Sequence, residues 1–105
     1  MPGVEVLGPK GPARFGGVDM LTWARHQLDI ASQIIDNPGG GLLFATQTIG
    51  QVKAALAESD PDRWEPVVDL LDEAEDAGVH RGFARARVLL AQAGSRLDSA
   101  QRADG

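Results

Sequence analysis

The residues with the chemistry to act as ligands or catalysts are few and poorly placed for it. His26 has Asp29 three residues on, and His80 follows Asp76 by four, so each pair could steer an imidazole or offer two ligands to a metal. Neither pair has a third ligand nearby in sequence, and exposed histidines on polar helix faces are the expectation. The serines Ser32, Ser59, Ser95 and Ser99 lie in no Gly-x-Ser-x-Gly elbow. Gly39-Gly40-Gly41 lacks the following Lys-Ser/Thr of a phosphate-binding loop and comes after a helical pattern where that loop needs a strand. The chain has no cysteine, which removes disulfides, thiolate nucleophiles and Cys-based zinc sites. The expectation is a protein that is not an enzyme, with no catalytic residue, no metal site and no cofactor.

Charge is a stronger signal. Between Glu58 and Asp76 stand nine acids against Arg63 alone, a local net of −8. At 100° per residue, Glu65, Asp69, Asp72, Glu73 and Asp76 share one helix face opposite Val67, Leu70, Leu71 and Ala74. The acids lie on a helix without the glycine turn of a calcium-binding loop. The stretch 77–105 has the opposite sign, five Arg against Asp98 and Asp104, a net of +3. There Arg81, Arg85, Gln92 and Arg96 form one stripe, with Val88 exposed among them and Arg87 apart. Each ridge is expected to point away from the core. An antiparallel second copy would then set each Arg stripe beside the other's acidic ridge, with Asp69 and Glu73 facing Arg81 and Arg85. Trp23 and Trp64 are the large aromatics that could anchor such an interface, although a Trp near a helix start more often staples the helix to its own core.

These residues need helices to position them, and the apolar spacing supplies four. Residues 1–17 hold five Gly and three Pro without a sustained period and are expected to be a flexible arm. From Asp19, a candidate N-cap, to Asp36, the positions Leu21, Ala24, Leu28, Ala31 and Ile35 step by three and four. A second row, Met20, Trp23, Ile30 and Ile34, widens that face beyond what one neighbour covers, and Gln27 lies between the rows. Asn37-Pro38 and the three glycines end this helix. Leu42, Ala45, Ile49, Val52 and Leu56 mark the second through Glu58, and Gly50 in its middle points to close backbone approach by a neighbour. Around Asp60–Trp64 a short turn is expected, with the third helix starting near Glu65-Pro66 and ending at Ala77, where Gly78 would be a left-handed cap. Val79, Phe83, Ala86, Leu90, Ala93 and Leu97 mark the fourth, which Gly94 is expected to fray.

The fold expected is all-α: a four-helix up-down bundle, or two packed helical hairpins, in a single domain over 18–101, behind the arm and before a disordered C-terminus at 102–105. With 105 residues, one core is the limit. The net charge of −5 repels phosphate backbones and anionic membranes, and no apolar run is long enough to span a bilayer. With neither such a run nor a start of the signal-peptide kind, cytoplasmic residence is expected. The function that fits is a protein–protein interaction module, a self-associating adaptor or regulator that binds its own copy or another protein. Its candidate partner-binding residues are Arg81, Arg85, Val88, Arg96, Asp69, Glu73, Trp23 and Trp64. Two alternatives are a nucleic-acid-associated accessory protein using the Arg stripe and a small-ligand-binding bundle with Gln27 in a polar cavity.

Overall fold

Asp19 caps the first helix as its spacing suggests: its carboxylate accepts the Thr22 backbone N–H at 2.9 Å and the Thr22 hydroxyl at 3.1 Å. A computed structural model describes residues 15–104, so the expected arm lies outside the described residues except for its last three positions. Four helices follow: α1 (Met20–Ile34), α2 (Gly41–Ser59), α3 (Pro61–Val79) and α4 (Phe83–Asp104). Among the described residues there is no strand. Each helix packs on two neighbours, α1 and α3 both lying between α2 and α4, and no helix touches its diagonal opposite. Short links make consecutive helices antiparallel, and Arg25 of α1 reaching Gln101 of α4 at 2.6 Å closes the square. The result is an up-down four-helix bundle.

Its core is the set of seams read from the sequence. Ala24, Leu28, Ala31 and Ile35 meet Ala45, Ile49, Val52 and Leu56 on one side and Ala86, Leu90, Ala93 and Leu97 on the other, all buried. Alanines at these facing positions let the helices approach closely. The wide face of α1 is divided between α2 and α4, and Met20, Leu21, Trp23 and Ile34 pack against the core. Ile30 stays outside.

The third helix departs from expectation at both ends. Instead of a separate turn before Glu65-Pro66, one continuous helix begins at Pro61, with the Asp60 carboxylate accepting the Arg63 N–H. Pro66 stands inside it and removes one backbone donor. Trp64 and Val67 are buried on either side of Pro66, so core packing holds the helix through a residue that local propensity disfavours. At the other end Gly78 is not a left-handed cap. It is helical and buried, packed so closely that a Cβ there would stand 3.1 Å from Ile35 Cδ1 and 3.2 Å from Leu42 Cδ1. The cap comes three residues later, at Arg81 with φ 66°, closed by Gly82 N–H to the Ala77 carbonyl and Arg81 N–H to the Gly78 carbonyl.

Two further corrections follow. Gly94 does not fray α4, which runs on to Asp104, so residues 102–104 are helical where a disordered end was expected. Arg63 of α3 ties that end down by its ion pair with Asp104 at 2.9 Å. Among the described residues Gly50 has no neighbour within 4 Å of where a Cβ would stand, so none of them makes the close approach expected there.

Candidate interaction surface

The charged ridges do less than their sequence separation implied. Asp69, Glu73 and Asp76 are exposed on the outer face of α3, and Arg81, Arg85, Val88 and Arg96 are exposed on α4 or the turn before it. Arg85, however, pairs with Glu73 of its own chain at 3.2 Å. Arg85 thus meets α3 within its own chain, so a second copy is not required to pair it. Arg87, apart from the stripe, turns to α1: its Nε donates to the Ser32 carbonyl at 2.9 Å and its guanidinium pairs with Asp36 at 2.6 Å. Lys53 of α2 inserts between Asp72 and Glu75 of α3. Burial works to lower the Lys53 pKa, but the hydrogen bonds and charges of the two carboxylates outweigh it and leave the ammonium raised above the usual lysine value.

The other chemistry-bearing residues are likewise placed on the surface. His80 Nδ1 lies 2.9 Å from the Asp76 backbone oxygen and 3.4 Å from its carboxylate, exposed beside an open groove of about 510 Å³ between α3 and α4. His26 and Asp29 border a second groove, of about 410 Å³, between α1 and α4. Among the described residues no three side chains of metal-ligating type converge. Gln27 is half-buried. Of the two tryptophans, Trp64 is not available as an anchor: it is 4% exposed and belongs to the core, with the Arg63 guanidinium stacked 4.4 Å over its ring. Trp23 is half-buried and meets the Phe15 ring at 4.9 Å.

Beside the wide face of α1, which the row Met20, Trp23, Ile30 and Ile34 marks in the sequence, the outer side of α2 is the surface that the sequence did not single out. Phe15 and Trp23 line a groove of about 340 Å³ with Gln51, Ala54, Ala55 and Glu58. Ile30 stands seven residues after Trp23 and Phe44 seven before Gln51, so both extend the same side toward the far end of the pair. Ile30 is 42% exposed, Phe44 57% and Leu43 63%. Charge is sparse among the described residues of α2, which carries only Lys53, turned to α3, and Glu58. On its solvent side Leu43, Gln47, Gly50, Ala54 and Ala57 step by four and three, a second seam opposite the buried one, and none of the five is buried. Gln47 is the one polar member, and it is uncharged. The signal was present in the sequence as the spread of apolar and small residues around α2. A search for its core-facing positions alone passes over it.

Comparisons with protein-family models, with curated proteins and with solved structures give no match. Among the described residues no helix is long and apolar enough to cross a membrane.

Proposed function

We propose that this protein is a non-enzymatic, self-associating interaction module, and that the outer side of α1 and α2 is its contact surface. One observation carries the reading: α2 bears apolar and small residues on its exposed side as well as its buried side, with Leu43 and Phe44 more than half exposed. The polar groups among them, Gln47 and Gln51, carry no charge. A helix that is apolar on more than one side is normally covered on each of them, and a contiguous exposed apolar face is a common mark of a partner site. The occupant that fits is a second copy. In a chain of net charge −5 the outer face of α3 is strongly acidic, so most approaches of one molecule to another set like charges together. Meeting through the neutral α2 side avoids that, and a two-fold arrangement covers the same residues on both molecules.

The charged side of α4 supports docking less well. Arg85 is already paired, and the carboxylates of α3 lie beside it, which weakens attraction for nucleic acid. The non-enzymatic part of the reading rests on histidines that stand in solvent at the rims of open grooves.

Sedimentation equilibrium over a concentration series tests the proposal. The wild type is expected to dimerise, and the double variant Leu43→Glu, Phe44→Glu to remain monomeric with an unchanged helical circular dichroism spectrum. A wild type that is a clean monomer at about 100 μM, well above the range of specific complexes, overturns it.

A further inference from the structure

The open side of α1 and α2 begins where the chain enters the described structure. Phe15 is the first described residue, and its ring meets Trp23 at 4.9 Å in the groove that Gln51 and Ala54 share. A turn puts it there: Gly16 and Gly17 both take positive φ, at 67° and 89°, and the Val18 N–H points to the Phe15 carbonyl at 3.4 Å. Trp23 stands one helical turn inside α1, whose cap is Asp19. Traced back from Asp19, the chain has therefore doubled back along α1, toward the end of the pair where Ile30, Leu43 and Phe44 are exposed. We infer that the fourteen residues before Phe15 continue on this course and seat the run Val4-Glu5-Val6-Leu7 against Leu43 and Phe44 of the same molecule. A second copy then has to displace the run. That displacement rests on the self-association proposed above, whereas the seat itself does not.

The chain is long enough. Phe44 stands seven residues before Gln51 in α2, about 10 Å along the helix, and Leu43 about 12 Å. Eight residue steps separate Leu7 from Phe15, enough for about 26 Å of extended chain. Pro9 and Pro12 fix their own φ within these steps and cannot continue a helix, so the stretch spans the distance with fewer conformations to lose than glycine alone would have. Val4, Val6 and Leu7 are the cluster of large apolar side chains in the segment, which makes this run the part with area to bury.

Charge favours the same occupant. The segment carries Lys10 and Arg14 against Glu5, a net of +1 in a chain whose total is −5. It is drawn to its own molecule, whereas a second copy is repelled as a whole. Arg14 adjoins Phe15, in the groove that Glu58 borders. Tethering adds to this. A short linker holds the run at an effective concentration on the order of millimolar, so a contact too weak to gather a second copy at micromolar concentration still keeps the run in place. A second copy displaces it only as the protein concentration rises.

Nuclear magnetic resonance of the full chain, at a dilution where it sediments as a monomer, tests the seat. Two variants are compared with it: one lacking residues 2–14, and one of full length with Val4→Ser, Val6→Ser and Leu7→Ser. Both are expected to keep the helical circular dichroism spectrum and to shift the amide signals of Ile30, Leu43, Phe44 and Gln47, while those of Val88 and Gln92 on α4 stay in place. Both should also self-associate at least about threefold more tightly than the wild type in sedimentation equilibrium, as expected when a contact surface open a third of the time becomes fully open. Leu43 and Phe44 signals that coincide in all three chains overturn the seat and leave self-association standing. Shifted signals with unaltered association overturn the displacement. Shifted signals in chains that all stay monomeric at about 100 μM uphold the seat and overturn self-association.

Discussion

Gly41, the first residue of α2, has no room for a side chain, and Gly41→Ala is the substitution whose outcome the structure determines most sharply. A Cβ at this position would stand 2.0 Å from the Ile34 carbonyl oxygen and 2.9 Å from the Asn37 Cβ. The obstacle is backbone at the end of α1, where the same carbonyl accepts the Asn37 N–H at 2.9 Å. It cannot swing aside as the tip of a long side chain would, so either that bond breaks or the entry into α2 moves. Alanine gains up to about 1 kcal/mol in helix propensity, whereas forced overpacking typically costs about 1 to 3 kcal/mol and occasionally more. With the obstacle in the backbone, the cost belongs in the upper part of that range, and a net loss of about 1 to 2 kcal/mol is expected. For a domain of this size that lowers the melting temperature by roughly 4 to 15 °C. Urea unfolding followed by far-ultraviolet circular dichroism measures it directly. A variant as stable as the wild type would refute the close approach between the α1 terminus and α2, and with it the placement of the α1–α2 link.

Gly94→Ala should act in the opposite sense: no described residue lies within 4 Å of its Cβ position, so a gain of about 0.5 to 1 kcal/mol is expected in the same urea experiment. Arg81→Gly should also stabilise, by about 0.5 to 1 kcal/mol, since it relieves a left-handed backbone that costs a non-glycine residue about 1 to 2 kcal/mol. Asp19→Ala should lose about 1 kcal/mol at neutral pH with the helix cap. The Thr22 N–H holds the Asp19 carboxyl below the ordinary aspartate value, so the stability it contributes is present above that range and falls as pH drops through it and below; stability curves of wild type and variant should converge in acid. Lys53→Met should lose about 1 kcal/mol, kept small because Asp72 is largely in solvent. The raised Lys53 pKa means that this contribution is complete below the ordinary lysine range and is lost above it, so here convergence is expected in alkali.

The buried half of the architecture was legible because it is periodic. Leu28, Ile49, Leu71 and Leu90 lie in rows that recur at three and four, and each is in the core. Helix ends were less legible, since they depend on neighbours. Gly78 looks like a cap by type, but Ile35 and Leu42, distant in sequence, reserve its missing side chain for packing, and the turn passes to an arginine. Pro66 looks like a start, but Trp64 and Val67 bury the turn around it. Of the candidate surface, Val88 and the Arg stripe are exposed as expected, Ile30 of the wide α1 face stays outside the core, Trp64 is lost to the core, and Leu43 and Phe44 were not singled out. Their spacing matches the buried seams closely enough that only the packed structure separates the covered apolar face from the open one.

The separation of charge between the last two helices has an answer inside the chain. Glu73 with Arg85 and Asp104 with Arg63 join α3 to α4, while Asp72 and Glu75 hold Lys53 of α2. Most of these groups are substantially solvated, so each pair contributes little stability. Their effect is on orientation. Opposite signs on α3 and its two neighbours favour one packing order of four helices whose apolar seams are otherwise alike, a choice that Leu and Ala contacts alone leave nearly degenerate. The α1–α2 contact has no comparable ion pair among the described residues that joins its two helices through the outer side. That hairpin is held by its seams and its Gly41 approach, and its outer side is left nearly free of charge, which is the condition a second apolar contact needs. Charge thus organises the α3–α4 half of the molecule, and its scarcity among the described residues on the outer side of α2 is the feature on which the proposed self-association rests.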